Sequence, residues 1–238
     1  MQSGVKVRVW ASCLTITASC ICPGAAGETI GSPLQQRQFK DGDTGQVYVY
    51  AGTSSPFNLD GVASTWSFYD ANTFNGIVTP LLFKKLSGSR YELTGIGTSR
   101  TSSATGAQTF PFAVIAGSAA IAGGSYTFGF TNRSYVISNG NLLAAFSSSG
   151  VVSYDHPGVN VPTDDWLMTA NLTTGGPVSL SIGSVVGSGG IEFYNSPAGG
   201  RVYSANFTAV PEPVAMSLVG AMAVTLRARR PVRIAHPS

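Results

Sequence analysis

An all-β fold, an antiparallel jelly-roll-like β-sandwich, is what the middle of this 238-residue sequence predicts. Three observations carry that expectation. Period-two stretches rich in β-branched and aromatic residues recur along 28–209, the clearest being Gln46-Val47-Tyr48-Val49-Tyr50, Thr65-Trp66-Ser67-Phe68-Tyr69 and Ser125-Tyr126-Thr127-Phe128-Gly129-Phe130. Turn-forming clusters separate them, among them Leu86-Ser87-Gly88-Ser89, Ser138-Asn139-Gly140-Asn141 and Pro197-Ala198-Gly199-Gly200. No long window of the middle shows a helical apolar stripe with caps.

Each further strand follows from the same pattern, at 77–84, 90–96, 110–115, 142–146, 166–171 and 201–209. About ten strands in one domain are enough for two stacked sheets. Residues 116–121 are the one place where a short helix is conceivable, and Gly117 with Gly123-Gly124 weakens it.

Charge is unevenly distributed. Charged residues make up only 11% of the chain, and the net charge of +3 is a sum of unlike parts. Residues 1–27 carry +2, residues 211–238 carry +3, and 28–210 carry −2. A folded middle without a basic face is poor material for nucleic-acid binding. Short basic flanks at both ends are instead the kind of charge that sets membrane topology. Low charge with many aromatics also argues against disorder.

The first 27 residues read as a signal peptide. Lys6 and Arg8 form a positive start, 9–21 is mostly apolar and uncharged though diluted by Ser12, Thr15, Thr17 and Ser19, Pro23-Gly24 breaks a helix, and Ala25-Ala26-Gly27 offers small residues for cleavage after Ala26 or Gly27. A lipoprotein variant, with Thr17-Ala18-Ser19 before Cys20, is the alternative, as is a first core element. All three cysteines, Cys13, Cys20 and Cys22, lie in this segment, so its removal leaves a domain with no thiol. A disulfide framework, a Cys-ligated zinc and a Cys nucleophile are then excluded.

At the other end, Val210-Pro211-Glu212-Pro213 precedes an uncharged apolar run, 214–226, and then Arg227-Ala228-Arg229-Arg230. Proline keeps the tripeptide extended and outside any ladder. The apolar run then meets the bilayer, and Arg227, Arg229 and Arg230 act as a basic stop. This order resembles the PEP-CTERM sorting signal of Gram-negative bacteria. The resemblance implies recognition by an exosortase-type processing enzyme after export by the secretion machinery. It also implies a destination at the cell surface, outer membrane or extracellular matrix, with exopolysaccharide as a candidate partner. The apolar run is shorter than the roughly 20 residues that span a bilayer as a helix. Membrane contact through this short helix is therefore expected to be transient or stable according to processing. The expected organisation is 1–27 signal helix, 28–209 β-sandwich, and 210–238 sorting tail.

Inside the middle domain no residue set identifies a reaction. His156 is its only histidine, and the following Pro157-Gly158 marks a turn. No Gly-x-Ser-x-Gly elbow occurs, and no spacing pairs two of the ten carboxylates as a glycosidase needs. Asp41-Gly42-Asp43-Thr44-Gly45 starts like a calcium loop, but Gly52 stands where the bidentate Glu belongs. Asp164-Asp165 is the other candidate for a loop Ca²⁺, and no metal or cofactor is assigned. Asn132, Asn171 and Asn206 begin glycosylation sequons, which carry little weight in a bacterial export context.

Trp66, Tyr69 and Trp166 are candidates for a glycan-stacking platform. Their alternative is structural: Trp66 and Phe68 facing the two sides of a strand, one of them filling the core. The leading expectation is a non-catalytic exported surface or matrix protein; the alternative is a carbohydrate-binding β-sandwich module, with a jelly-roll enzyme third.

Overall fold

The computed structural model describes residues 26–40, 46–52, 54–71, 76–102, 104–132, 134–138, 141–145, 152–155, 166–169, 180–187 and 202–212. Among these residues the chain is all-β, with antiparallel pairing throughout and no helix. The strands begin with β1 (Glu28–Gly31), β2 (Phe39–Lys40), β3 (Val47–Tyr50), β4 (Gly61–Asp70), β5 (Ile77–Lys85) and β6 (Tyr91–Gly97). They continue with β7 (Arg100–Thr101), β8 (Gly106–Pro111), β9 (Val114–Gly117), β10 (Ala120–Ile121), β11 (Tyr126–Thr131) and β12 (Ser134–Ser138). The last six are β13 (Asn141–Ala145), β14 (Ser153–Asp155), β15 (Trp166–Thr169), β16 (Val185–Val186), β17 (Val202–Tyr203) and β18 (Ala205–Val210).

Two sheets dominate. A five-stranded sheet has the order β1-β18-β4-β10, with β8 also paired to β4; an eight-stranded sheet runs β15-β3-β11-β5-β6-β16, with β7 on β5 and β9 on β6. A small sheet, β17-β14-β2, and the pair β12-β13 complete the set. The two large sheets face each other through one aromatic cluster. Trp66, Phe68 and Phe207 come from the five-stranded sheet; Tyr48, Tyr50, Phe128 and Phe130 come from the eight-stranded one. Phe128 and Phe207 stack across the gap at 5.2 Å between ring centroids. The segment 106–121 stitches one side, since β8 and β10 lie on the first sheet and the intervening β9 lies on the second.

The eight-stranded sheet is buried on both faces. Val47, Val49, Leu81, Phe83, Leu93 and Ile96 form a second cluster behind it, joined by Leu180 and Val186. This explains why β3 is buried at every position and β5 at six consecutive ones, rather than alternating. Close backbone approach is needed within this sheet: a Cβ on Gly129 would sit 2.1 Å from the Tyr48 carbonyl oxygen.

Most expected strands are present with shifted ends. Three features differ. The expected strand at 110–115 is divided between β8 and β9, which belong to opposite sheets. The stretch considered for a helix, 116–121, is extended and supplies the end of β9 and all of β10. Short strands that no alternation marks, such as β1, β2 and β16, add to the count. Of the expected signal and tail segments, residues 1–25 and 213–238 lie outside the described residues.

Candidate functional site

The chain enters and leaves the folded body side by side. β1 pairs antiparallel with β18, setting Glu28 opposite Ala209. The Glu28 carboxylate accepts hydrogen bonds from the Asn58 backbone N–H at 2.7 Å, the Asn58 Nδ2 at 2.8 Å and the Leu59 N–H at 3.0 Å. The first strand after the expected cleavage point is therefore tied to the loop that leads into β4.

β18 lies between β1 and β4, and its last residue, Val210, sits opposite Val62. Gly61 permits this close approach, since a Cβ there would lie 2.1 Å from the Val210 carbonyl oxygen. Pro211 follows at once and has no N–H to continue the ladder. Pro211 is half-buried and Glu212 exposed. Pro213, Arg227, Arg229 and Arg230 lie outside the described residues, as do 1–25. Among the described residues no helix is long and apolar enough to cross a membrane.

The aromatic candidates divide differently from the sequence expectation. Trp66 is 3% and Trp166 4% exposed, so neither offers a face to a sugar ring. Trp66 stacks on Phe68 at 5.4 Å: the two share the inner face, because residues two apart in a strand point the same way. The expectation that they face opposite sides is thereby corrected. Trp166 sits edge-on to Tyr50, Phe128 and Phe130 at 5.2–5.4 Å and donates its Nε1–H to Ser32 Oγ at 3.3 Å. Tyr69 alone of the three takes the opposite, half-exposed face of β4.

That outer face has a chemistry of its own. Opposite residues on β1, β18 and β4 form a row of Thr29, Thr208 and Thr65; the next row holds Asn206, Ser67 and Thr109. Neighbouring hydroxyls touch, Thr29 with Thr208 and Ser67 with Thr109, each at 2.8 Å. Strand spacing puts these groups about 4.8 Å apart across the sheet and about 6.8 Å apart along it. Neither row contains a charged residue. Single-chain reading misses this array because small polar residues on one strand look like ordinary solvent-facing positions; only the register brings them into rows.

The charged groups with partners are structural in kind. Arg37 Nη1 lies 2.8 Å from Asp155 Oδ2, and its Nε donates to Ser204 Oγ at 2.7 Å. Asp70 is fully buried and accepts a hydrogen bond from Ser102, which in turn receives one from Gln108 Nε2 at 2.6 Å. No three of His, Cys, Asp and Glu gather to hold a metal ion among the described residues. His156, Asp164-Asp165 and Asp41–Gly45 lie outside them. A pocket between the sheets, walled by Trp66, Phe68, Val78, Phe128 and Phe207, has no titratable side chain in its lining. Asn132, which begins one sequon, is fully buried.

Comparison of the chain with protein-family models, with curated proteins and with solved structures finds no match.

Proposed function

We propose that this chain is a non-catalytic exported protein of a Gram-negative cell surface or extracellular matrix, delivered by its N-terminal signal and processed through Pro211-Glu212-Pro213 by an exosortase-type enzyme. Its body is a jelly-roll-like β-sandwich associated with exopolysaccharide. One observation carries the reading. The paired strands begin at Glu28 and end at Val210, side by side, which supports a body lying between the two proposed signals with its first and last strands at one end. Two segments leaving side by side can reach one membrane while the body stays on one side of it. Successive strands that alternate between the sheets, β3, β4, β5 and then β8, β9, β10, β11, support the jelly-roll part.

The test replaces Pro211, Glu212 and Pro213 by alanine in the native host. The expected outcome is a heavier, unprocessed chain retained in the membrane fraction. Unchanged mature mass and location would sink the sorting proposal.

A second reading, carbohydrate binding, is favoured by the uncharged Thr29–Thr208–Thr65 row and by Asn206 and Thr109, which flank the buried Ser67, beside Tyr69, in place of the two buried tryptophans. An array of neutral and charged glycans separates the two readings: Tyr69→Ala with Thr65→Val removes binding only if this face does it.

A further inference from the structure

Basic residues are scarce in the folded body, and they are not evenly spread. Of the eight between 28 and 210, three fall in the seven positions from Lys84 to Arg90. This is the β5–β6 hairpin tip, where β5 ends at Lys85 and β6 begins at Tyr91. Every residue from 84 to 89 is exposed. Leu86, at 38%, is one of the few large apolar side chains open to water. The tip is closed by a hydrogen bond from the Leu86 N–H to the Arg90 carbonyl at 2.9 Å, and Gly88 supplies its left-handed residue at φ 63°. Lys84 faces Glu92 across the hairpin, yet among the described residues no ion pair involves Lys84, Lys85 or Arg90.

The position of this tip in the fold can be followed bond by bond. The Lys85 N–H donates to the Ser125 carbonyl, the Phe57 N–H to the Tyr126 carbonyl, and the Gly124 N–H to the Phe57 carbonyl. Asn58 and Leu59 then hold Glu28, which sits opposite Ala209. The hairpin tip, the loops at 57–60 and 122–125 and both ends of the folded body therefore occupy one end of the molecule. The apolar run at 214–226 starts two residues after Glu212. Too little chain intervenes for the body to stand far from whatever surface that run enters.

We propose that the Lys84–Arg90 hairpin is a membrane-contacting tip, its three cations meeting anionic phospholipid headgroups while Leu86 dips into the interface. The proposal rests on the sorting-tail reading for which end faces the bilayer. The combination of cations around an exposed apolar residue is what an interfacial contact needs. Acidic groups share this end: Glu28 accepts hydrogen bonds from Asn58 and Leu59, and Asp60 Oδ1 accepts the Gly123 N–H at 2.7 Å, which fixes both carboxylates without removing their charge. With Glu92 and Glu212 they weaken attraction to an anionic surface, so the contact falls to the hairpin tip itself, where three cations stand against Glu92 alone between residues 84 and 92. Each cation near an anionic surface strengthens partitioning by roughly five-fold, and salt screens it.

The test is hydrogen exchange, read by mass spectrometry on the full chain reconstituted into vesicles of phosphatidylcholine alone or with a third phosphatidylglycerol. Amides of 84–90 are expected to exchange at least five-fold more slowly in the anionic vesicles. High salt, or the triple variant K84E/K85E/R90E, should abolish the difference; K84Q/K85Q/R90Q is the milder variant should charge reversal disturb folding. Protection of 214–226 without any lipid-dependent change at 84–90 overturns the hairpin proposal and leaves the tail reading intact. Absence of protection at both overturns both, while protection at 84–90 alone supports the hairpin and counts against the tail. Protection of the tip by a soluble uronate polymer, and not by anionic vesicles, reassigns it to an acidic polysaccharide and overturns the lipid claim.

Discussion

Replacing Trp166 by alanine separates a core tryptophan from a sugar-binding one. The side chain is 4% exposed and meets four rings within 5.8 Å: Tyr50, Phe128, Phe130 and Tyr203. A tryptophan side chain buries about 150–250 Å², and at about 25 cal/mol per Å² that burial is worth roughly 4–6 kcal/mol as an upper bound. Measured truncations of buried aromatics cost about 3–5 kcal/mol, and we expect that loss here. For a body of this size it corresponds to a fall in Tm of about 10 °C or more.

The assay is urea denaturation followed by far-ultraviolet circular dichroism and by emission from the remaining tryptophans. Trp166→Phe keeps most of the packing and loses the bond from Nε1 to Ser32 Oγ, so it should cost about 1–2 kcal/mol. Trp66→Phe is a useful contrast. Trp66 Nε1 is buried with no hydrogen-bond partner among the described residues, so only packing is lost. A cost below 1 kcal/mol for Trp166→Ala would refute the core assignment, because exposed positions typically change stability by no more than about 0.5 kcal/mol.

Two further outcomes follow from charged and titrating groups. Asp155→Ala strands the Arg37 guanidinium, whose side chain is 6% exposed, and should cost about 2–3 kcal/mol in urea denaturation; Asp155→Asn should recover only part of it. Tyr91 is 3% exposed, and burial raises its phenol pKa above the usual 10.0. Its contribution is complete below pH 10 and falls as pH climbs further, because the unfolded chain ionises first and is favoured. Urea midpoints measured between pH 8 and 11 should drop less steeply in Tyr91→Phe; identical slopes would contradict the role of burial.

Strand positions were legible wherever one strand alternates by itself. Thr65-Trp66-Ser67-Phe68-Tyr69 reads correctly as strand because Trp66 and Phe68 meet the core while Thr65 and Tyr69, on the other face, stay half-exposed around a buried Ser67. Ile77-Val78-Thr79-Pro80-Leu81-Leu82-Phe83 is apolar nearly throughout, and its double burial emerges only when a second cluster covers the other face of its sheet. The break between Pro111 and Val114 has no local signal, since nothing in the sequence says that the two halves join different sheets. The candidate site was legible in part. Tyr69 was placed among the exposed aromatics, whereas Trp66 and Trp166 were grouped with it on residue type, which cannot tell an inward strand position from an outward one.

Local chemistry determined the all-β class and the thiol-free middle, and it alone carries the proposed reading of the two ends. Those properties depend on residues near one another in the chain: a run of apolar side chains, two prolines flanking Glu212, cysteines confined to one segment. Tertiary structure alone decided which aromatics are buried, that Thr29, Thr208 and Thr65 form a row, and that the basic hairpin at 84–90 lies at the end of the molecule where β18 finishes, 120 residues or more further along the chain. Each is a matter of strand register and of sheet facing sheet, and pairings between distant segments are set by the packing of the whole body.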